Sequence, residues 1–199
     1  MTDLENLNII GLTGMSGAGK TSAANLFARR GFCVIDCDGE ARRVITNPPC
    51  VDVLRKAFPE LFVCGGFDRI TAARVLFSDA DKLKRYGNLV YPYIIDSITR
   101  MIESCADAGE RDFLLDAPTL YQSGADGLCR KILAIIADKN ICVRRITERD
   151  GISEQDAELR LNSQPGAEFY MDRADFYVTN NGDEESFLKS VEKIITELK

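Results

Sequence analysis

The chain contains no histidine. Serine–histidine–aspartate and cysteine–histidine machinery is therefore excluded, and any proton transfer falls to a carboxylate, lysine, tyrosine, cysteine or water. Seven cysteines (33, 37, 50, 64, 105, 129 and 142) are scattered without a C-x-x-C pair. With no imidazole to complete a ligand set, a zinc site is not expected, and the thiols read as reduced groups filling core space. No uninterrupted apolar run reaches the roughly 18 residues that a membrane span requires. The first residues, MTDLENLN, lack the basic start and apolar segment of a secretory signal, so a cytoplasmic location is expected. Positive charge is the scarcer sign: 25 basic against 31 acidic residues give a net charge of −6, which argues against a general binder of nucleic acid or acidic membrane. No feature points to an obligate protein partner.

The 199 residues suffice for one domain with a real core, and 45% apolar with 28% charged residues is the composition of a folded globule. Short, nearly continuous apolar runs predict strands near 8–13, 33–36, 113–116, 132–137 and 176–179. Helical patterns fall near 20–30, 38–46, 71–86, 93–106, 139–149, 153–163 and 184–198. Gly31 sits where a left-handed helix cap is expected, and Ser153, with Asp156 three residues on, marks a helix start. The alternation implies an α/β fold, a five-stranded parallel sheet wrapped by helices. Residues 38–110 are mostly helical and interrupt that alternation, as a lobe at the ligand-binding ends of the strands would.

Gly14-Met15-Ser16-Gly17-Ala18-Gly19-Lys20-Thr21 satisfies G-x-x-x-x-G-K-[ST] between an apolar strand and a helix. Glycines let successive backbone N–H groups turn inward around a phosphate, and the positive end of the following helix faces the same anion. Lys20 would reach the β- and γ-phosphates, and the Thr21 hydroxyl would ligate Mg²⁺. The loop therefore predicts a nucleoside triphosphate with Mg²⁺, without saying where the γ-phosphoryl goes.

The second strand leads into Asp36 and Asp38, with Arg42 one helical turn further. A carboxylate there can take the proton of an attacking alcohol, and the arginine can hold an anionic part of an acceptor. Asp38 as a helix cap and Arg42 as a solvated charge would look the same. Asp116, ending the LLDAP segment, fits an outer-sphere partner of Mg²⁺ and equally a surface acid. Arg144, Arg145, Arg149 and Arg160 could form a hairpin that closes over the phosphates, or a solvated face paired with Glu148, Asp150, Glu154 and Glu158. Asp36-Cys-Asp-Gly39 also matches the D-x-x-G element of GTP switches, but N-K-x-D is missing.

The phosphate loop, VIDCD-x-x-AR, D-x-P-x-L, R-x-x-x-RDG-x-S-x-x-x-A-x-x-R-x-x-x-Q and ADFYVTNNG, in this order over nearly the whole chain, resemble dephospho-coenzyme A kinase. The resemblance implies a single three-layer P-loop kinase domain over 1–199, with a helical acceptor-binding lobe within 38–110 and a lid region within 139–165. It implies phosphorylation of the 3′-hydroxyl of dephospho-coenzyme A by MgATP. It makes Asp38 the general base and Arg42 an acceptor contact, and it places Arg145, Arg149 and Arg160 in the lid region. Gln164 and Asn180 match its later motifs, Asn180 as a candidate contact for adenine. The family usually has His-Pro where this chain has Tyr91-Pro92, Glu where it has Gln122, and Gly and Ile where the loop has Met15 and Ser16. Tyr91 thus enters as a candidate acceptor contact at a substituted position. Another small acceptor, such as a nucleoside monophosphate, is the alternative.

Overall fold

The computed structural model describes residues 4–199. Its elements are β1 (Asn8–Gly14), α1 (Lys20–Arg29), β2 (Cys33–Asp36), α2 (Cys37–Val44), α3 (Cys50–Ala57), β3 (Phe62–Val63), β4 (Gly66–Phe67), α4 (Arg69–Phe77), α5 (Ala80–Asp107), β5 (Asp112–Asp116), α6 (Leu120–Ser123), β6 (Lys131–Ile136), α7 (Lys139–Asp150), α8 (Glu154–Asn162), α9 (Ala167–Met171), β7 (Phe176–Thr179) and α10 (Glu184–Leu198). The chain divides into two compact units, one running to Asp36 and resuming at Cys105–Lys199, the other Cys37–Ser104.

The first unit holds a five-stranded sheet in the order β2-β5-β1-β6-β7, with every pairing parallel. The central strands are fully buried through Ile10, Leu12, Phe113, Leu114, Leu115, Leu133, Ala134 and Ile135. That explains why they read as unbroken apolar runs rather than as an alternation. Parallel pairing brings the C-terminal ends of all five strands to one edge. The phosphate loop follows β1 there, Asp36 and Asp116 end β2 and β5, and Asn180 follows β7. Helix boundaries follow local chemistry. Gly31 adopts a φ of 87° just past α1, and the Ser153 hydroxyl accepts the Asp156 N–H at 3.1 Å to open α8.

The second unit is helical, with one small antiparallel hairpin of β3 and β4. Here the helix boundaries differ from the sequence expectation. The segment expected as helices near 71–86 and 93–106 breaks instead at Ser78-Asp79, and α5 runs 28 residues through Pro92. The cause is capping. Asp68 accepts the Thr71 N–H at 2.7 Å and starts α4, while Asp79 accepts the N–H groups of Asp81 and Lys82, each at 3.0 Å, and starts α5. Val90, Ile94, Ile98 and Ile102 then bury one four-residue stripe, which carries the helix past the proline. The short elements α3, β3, β4, α6 and α9 lay below what periodicity resolves. Among the described residues no helix is long and apolar enough to cross a membrane.

Candidate active site

The phosphate loop is held open by steric necessity. Gly14, Gly17 and Gly19 have φ of 133°, 76° and 110°. A Cβ on Gly14 would lie 2.0 Å from the Ile135 carbonyl oxygen, one on Gly17 2.7 Å from that of Cys142, and one on Gly19 2.5 Å from Asn180 Nδ2. Only glycine fits a positive φ at such distances. The loop backbone therefore packs directly on β6, α7 and the turn after β7. Met15 and Ala18 are buried in this packing, while Ser16 is half-buried.

Lys20 opens α1 and is half-buried. Lys20 Nζ donates to the carbonyls of Gly14 and Met15, each at 2.9 Å. Burial is the main influence on it and drives the ammonium down to about 8; the nearby Asp116 carboxylate opposes this, and Arg149 and Arg160 add to it. Four residues singled out from the sequence thus sense one another electrostatically around one ammonium. Thr21, next in α1, is exposed. Asp116 lies in register with Asp36 of β2, which sets two carboxylates side by side at the strand ends. That pairing was invisible in sequence because it depends on strand order.

Three side chains brace the loop. Gln164 accepts the Ser16 N–H at 3.2 Å through Oε1 and donates to Ser16 Oγ at 2.9 Å through Nε2. Asn180, only 6% exposed, donates from Nδ2 to the Ala18 carbonyl at 2.8 Å. Its Oδ1 accepts from Arg145 Nη2 at 3.4 Å. Arg145 Nη1 donates to the carbonyls of Asn180 at 3.1 Å and Gly17 at 3.4 Å. Asn180 therefore spends both ends of its amide on the protein, and Arg145, expected in a closing hairpin, ties loop to sheet edge. A cavity of about 270 Å³ opens beside them, lined by Gly19, Ser22, Arg145, Asn180, Glu184 and Phe187. Glu184 and Phe187 were missed because their helix reads as an ordinary amphipathic one.

Arg149 and Arg160 share one acid. Arg149 holds Asp150 through two hydrogen bonds at 2.7 and 2.8 Å, and Arg160 Nη1 reaches the same carboxylate at 2.8 Å. These bonds, that from Arg149 foremost, hold the Asp150 carboxyl below its usual range. Gly151, with a φ of 65°, ends α7 and lets α8 fold back so that the three groups meet.

Asp38, Arg42 and Tyr91 lie in the second unit. Asp38 and Arg42 sit one turn apart on α2 and form an ion pair. Glu40, facing the other way, is buried against Arg43 and Ser97. Tyr91 lies half-buried on α5. Gln122, on α6 of the first unit, is exposed.

A parallel sheet whose first strand delivers a glycine cradle and a buried lysine defines a nucleotide-dependent phosphotransferase of the P-loop kinase class. A solved structure of a shikimate kinase from Acinetobacter baumannii has this fold: it superimposes with a TM-score of 0.55 at 17% identity over 98% of this chain and 97% of that one. The crystal structure of TT1252 from Thermus thermophilus matches with a TM-score of 0.81 and 30% identity, over 96% and 97% of the two chains. The family model "CoaE: Dephospho-CoA kinase" matches residues 8–186. A dephospho-CoA kinase from Geobacillus kaustophilus is 32% identical over 181 residues, 88% of this chain and 89% of the relative. The chain belongs to the dephospho-CoA kinase family.

Proposed function

We propose that this chain transfers the γ-phosphoryl group of ATP to the ribose 3′-hydroxyl of dephospho-coenzyme A, giving coenzyme A and ADP. The observation that carries the reading is the phosphate loop, whose glycines admit no side chain and whose Lys20 ammonium donates to two loop carbonyls. An ammonium kept half-desolvated in this way gains most from a triphosphate, which replaces neutral acceptors by charged ones. Loop N–H groups and the start of α1 would take the β- and γ-phosphates. The cavity beside Asn180 and Arg145 would take the adenine, with Asn180 fixing the cavity wall through Ala18.

Asp38 acts as general base: its carboxylate takes the proton as the ribose oxygen bonds to phosphorus, and the bond to the ADP oxygen breaks. Arg42, now paired with Asp38, would turn to an anionic group of the acceptor and leave the carboxylate free to accept. Tyr91 would contribute a further acceptor contact. In this reading 38–110 is the acceptor-binding lobe, and 139–165 closes as a lid, presenting Arg149 and Arg160 to the transferring group. Thr21 and Asp116, with Asp36 beside it, are hard oxygen donors suited to Mg²⁺. When bound, Mg²⁺ neutralises charge on the phosphates.

The test is ADP release with dephospho-coenzyme A set against nucleoside monophosphates and other alcohols. The proposal expects release that depends on dephospho-coenzyme A and a product phosphorylated at the ribose 3′ position. A preferred nucleoside monophosphate would replace this reading by the alternative acceptor.

A further inference from the structure

Gly87 stands inside α5, far from either end of a 28-residue helix. A glycine there is disfavoured against alanine, because it surrenders more backbone freedom on folding. Nothing in the backbone requires it, since its φ is not positive. The reason lies four residues on. A Cβ built on Gly87 would stand 2.6 Å from Tyr91 Cε2, 3.1 Å from Cζ and 3.3 Å from Cδ2. In a helix, side chains lean toward the N-terminus and over the residue four positions back. The Tyr91 ring does this and lies on bare backbone. Gly87 is buried although Asn88 beside it is exposed and Tyr86 only half-buried, as the overlying ring requires.

We infer that Gly87 is a positioning residue that lets one edge of the Tyr91 ring pack against α5 and thereby fixes where the phenol hydroxyl meets the acceptor. The acceptor part rests on the function proposed above; the seat itself rests on geometry alone. The hydroxyl donates no hydrogen bond within the described residues, so it is available as a donor to an anionic or hydroxylic group. Burial pushes the phenol up from its ordinary value, which keeps the proton on it at neutral pH. At this position the family usually carries histidine, whose ring reaches less far from its Cβ. The longer phenol requires a bare position beneath it, and this chain supplies one.

The test is a four-member cycle of wild type, Gly87→Ala, Tyr91→Ala and the double variant, read by steady-state kinetics and thermal melting. Gly87→Ala should raise KM for dephospho-coenzyme A about tenfold and leave KM for ATP within about twofold, because the displaced ring touches only the acceptor. It should not raise Tm. In the Tyr91→Ala background the same substitution should raise Tm by about 2–4 °C, as helix propensity alone dictates, and leave both KM values unchanged. Histidine at 91 should restore the KM of the Gly87→Ala chain to within about threefold of Tyr91→His alone. Equal Tm changes in the two backgrounds would overturn the seat. A matched rise in both KM values would overturn the positioning role, since general damage to the fold would do the same. If the wild type turns over ATP but not with dephospho-coenzyme A, the acceptor half falls, while the melting cycle still reports on the ring.

Discussion

Raising the pH should weaken ATP binding through a single buried ammonium. Lys20 is held at about 8, below its ordinary value of 10.5, chiefly because the loop excludes water from it. In the empty protein the unfolded chain therefore binds more protons than the folded one between about 8 and 10.5, so this group's contribution to stability rises with pH across that window. ATP affinity should move the opposite way, because only the ammonium form pairs with a triphosphate. At pH 7.5 about three quarters of Lys20 is charged and at pH 9 about one tenth, so Kd should weaken about eightfold over that interval. Below pH 7 it should be flat with respect to this group. Calorimetric titration of a non-hydrolysable ATP analogue in two buffers of different ionisation enthalpy gives both Kd and proton uptake. Uptake should approach one proton at pH 9. Lys20→Arg, whose guanidinium stays charged, should lose the slope while keeping measurable affinity. A flat Kd between pH 7.5 and 9, or the same slope in Lys20→Arg, would refute the reasoning.

Other predictions rest on separate parts of the site. Asn180→Ala should destabilise the chain by about 1–3 kcal/mol in urea unfolding, because it leaves the buried Ala18 carbonyl unpaired, and should weaken ATP binding with it. Gly14→Ala should abolish ATP binding in the calorimeter, since its Cβ would fall 2.0 Å from the Ile135 oxygen. Arg149→Ala should lower kcat by about 10²-fold while changing ATP Kd by less than about threefold; equal losses in both would make Arg149 a ground-state contact.

The sheet could be read from the sequence because its strands are buried on both faces, and a run such as Phe113–Leu115 has no other easy interpretation. The phosphate loop was equally legible, since its glycines answer to backbone geometry that spacing alone expresses. The helices between 69 and 107 were harder. Two aspartates, Asp68 and Asp79, set their starts by side-chain capping, and the apolar stripe of α5 outweighed Pro92. What the sequence hides is what folding brings together. Asp36 stands beside Asp116 only because β2 pairs with β5, and Gln164 clasps Ser16 across 148 positions. Arg145 was singled out by the arginine pattern and Asn180 by resemblance, but their mutual bond and its service to the loop needed the fold. Gly87 drew no notice, because a glycine in a helical stretch has no periodicity to break.

The central claim is that a carboxylate next to the second strand primes a sugar hydroxyl for the phosphoryl group held by the loop. Asp38→Asn tests it most directly, in a rapid-quench single turnover with saturating MgATP and dephospho-coenzyme A. The amide keeps the shape and removes the proton acceptor, so the account predicts phosphoryl transfer slowed by about 10²–10⁴-fold with both substrates still bound. Transfer at the wild-type rate, or a defect confined to KM, would contradict it.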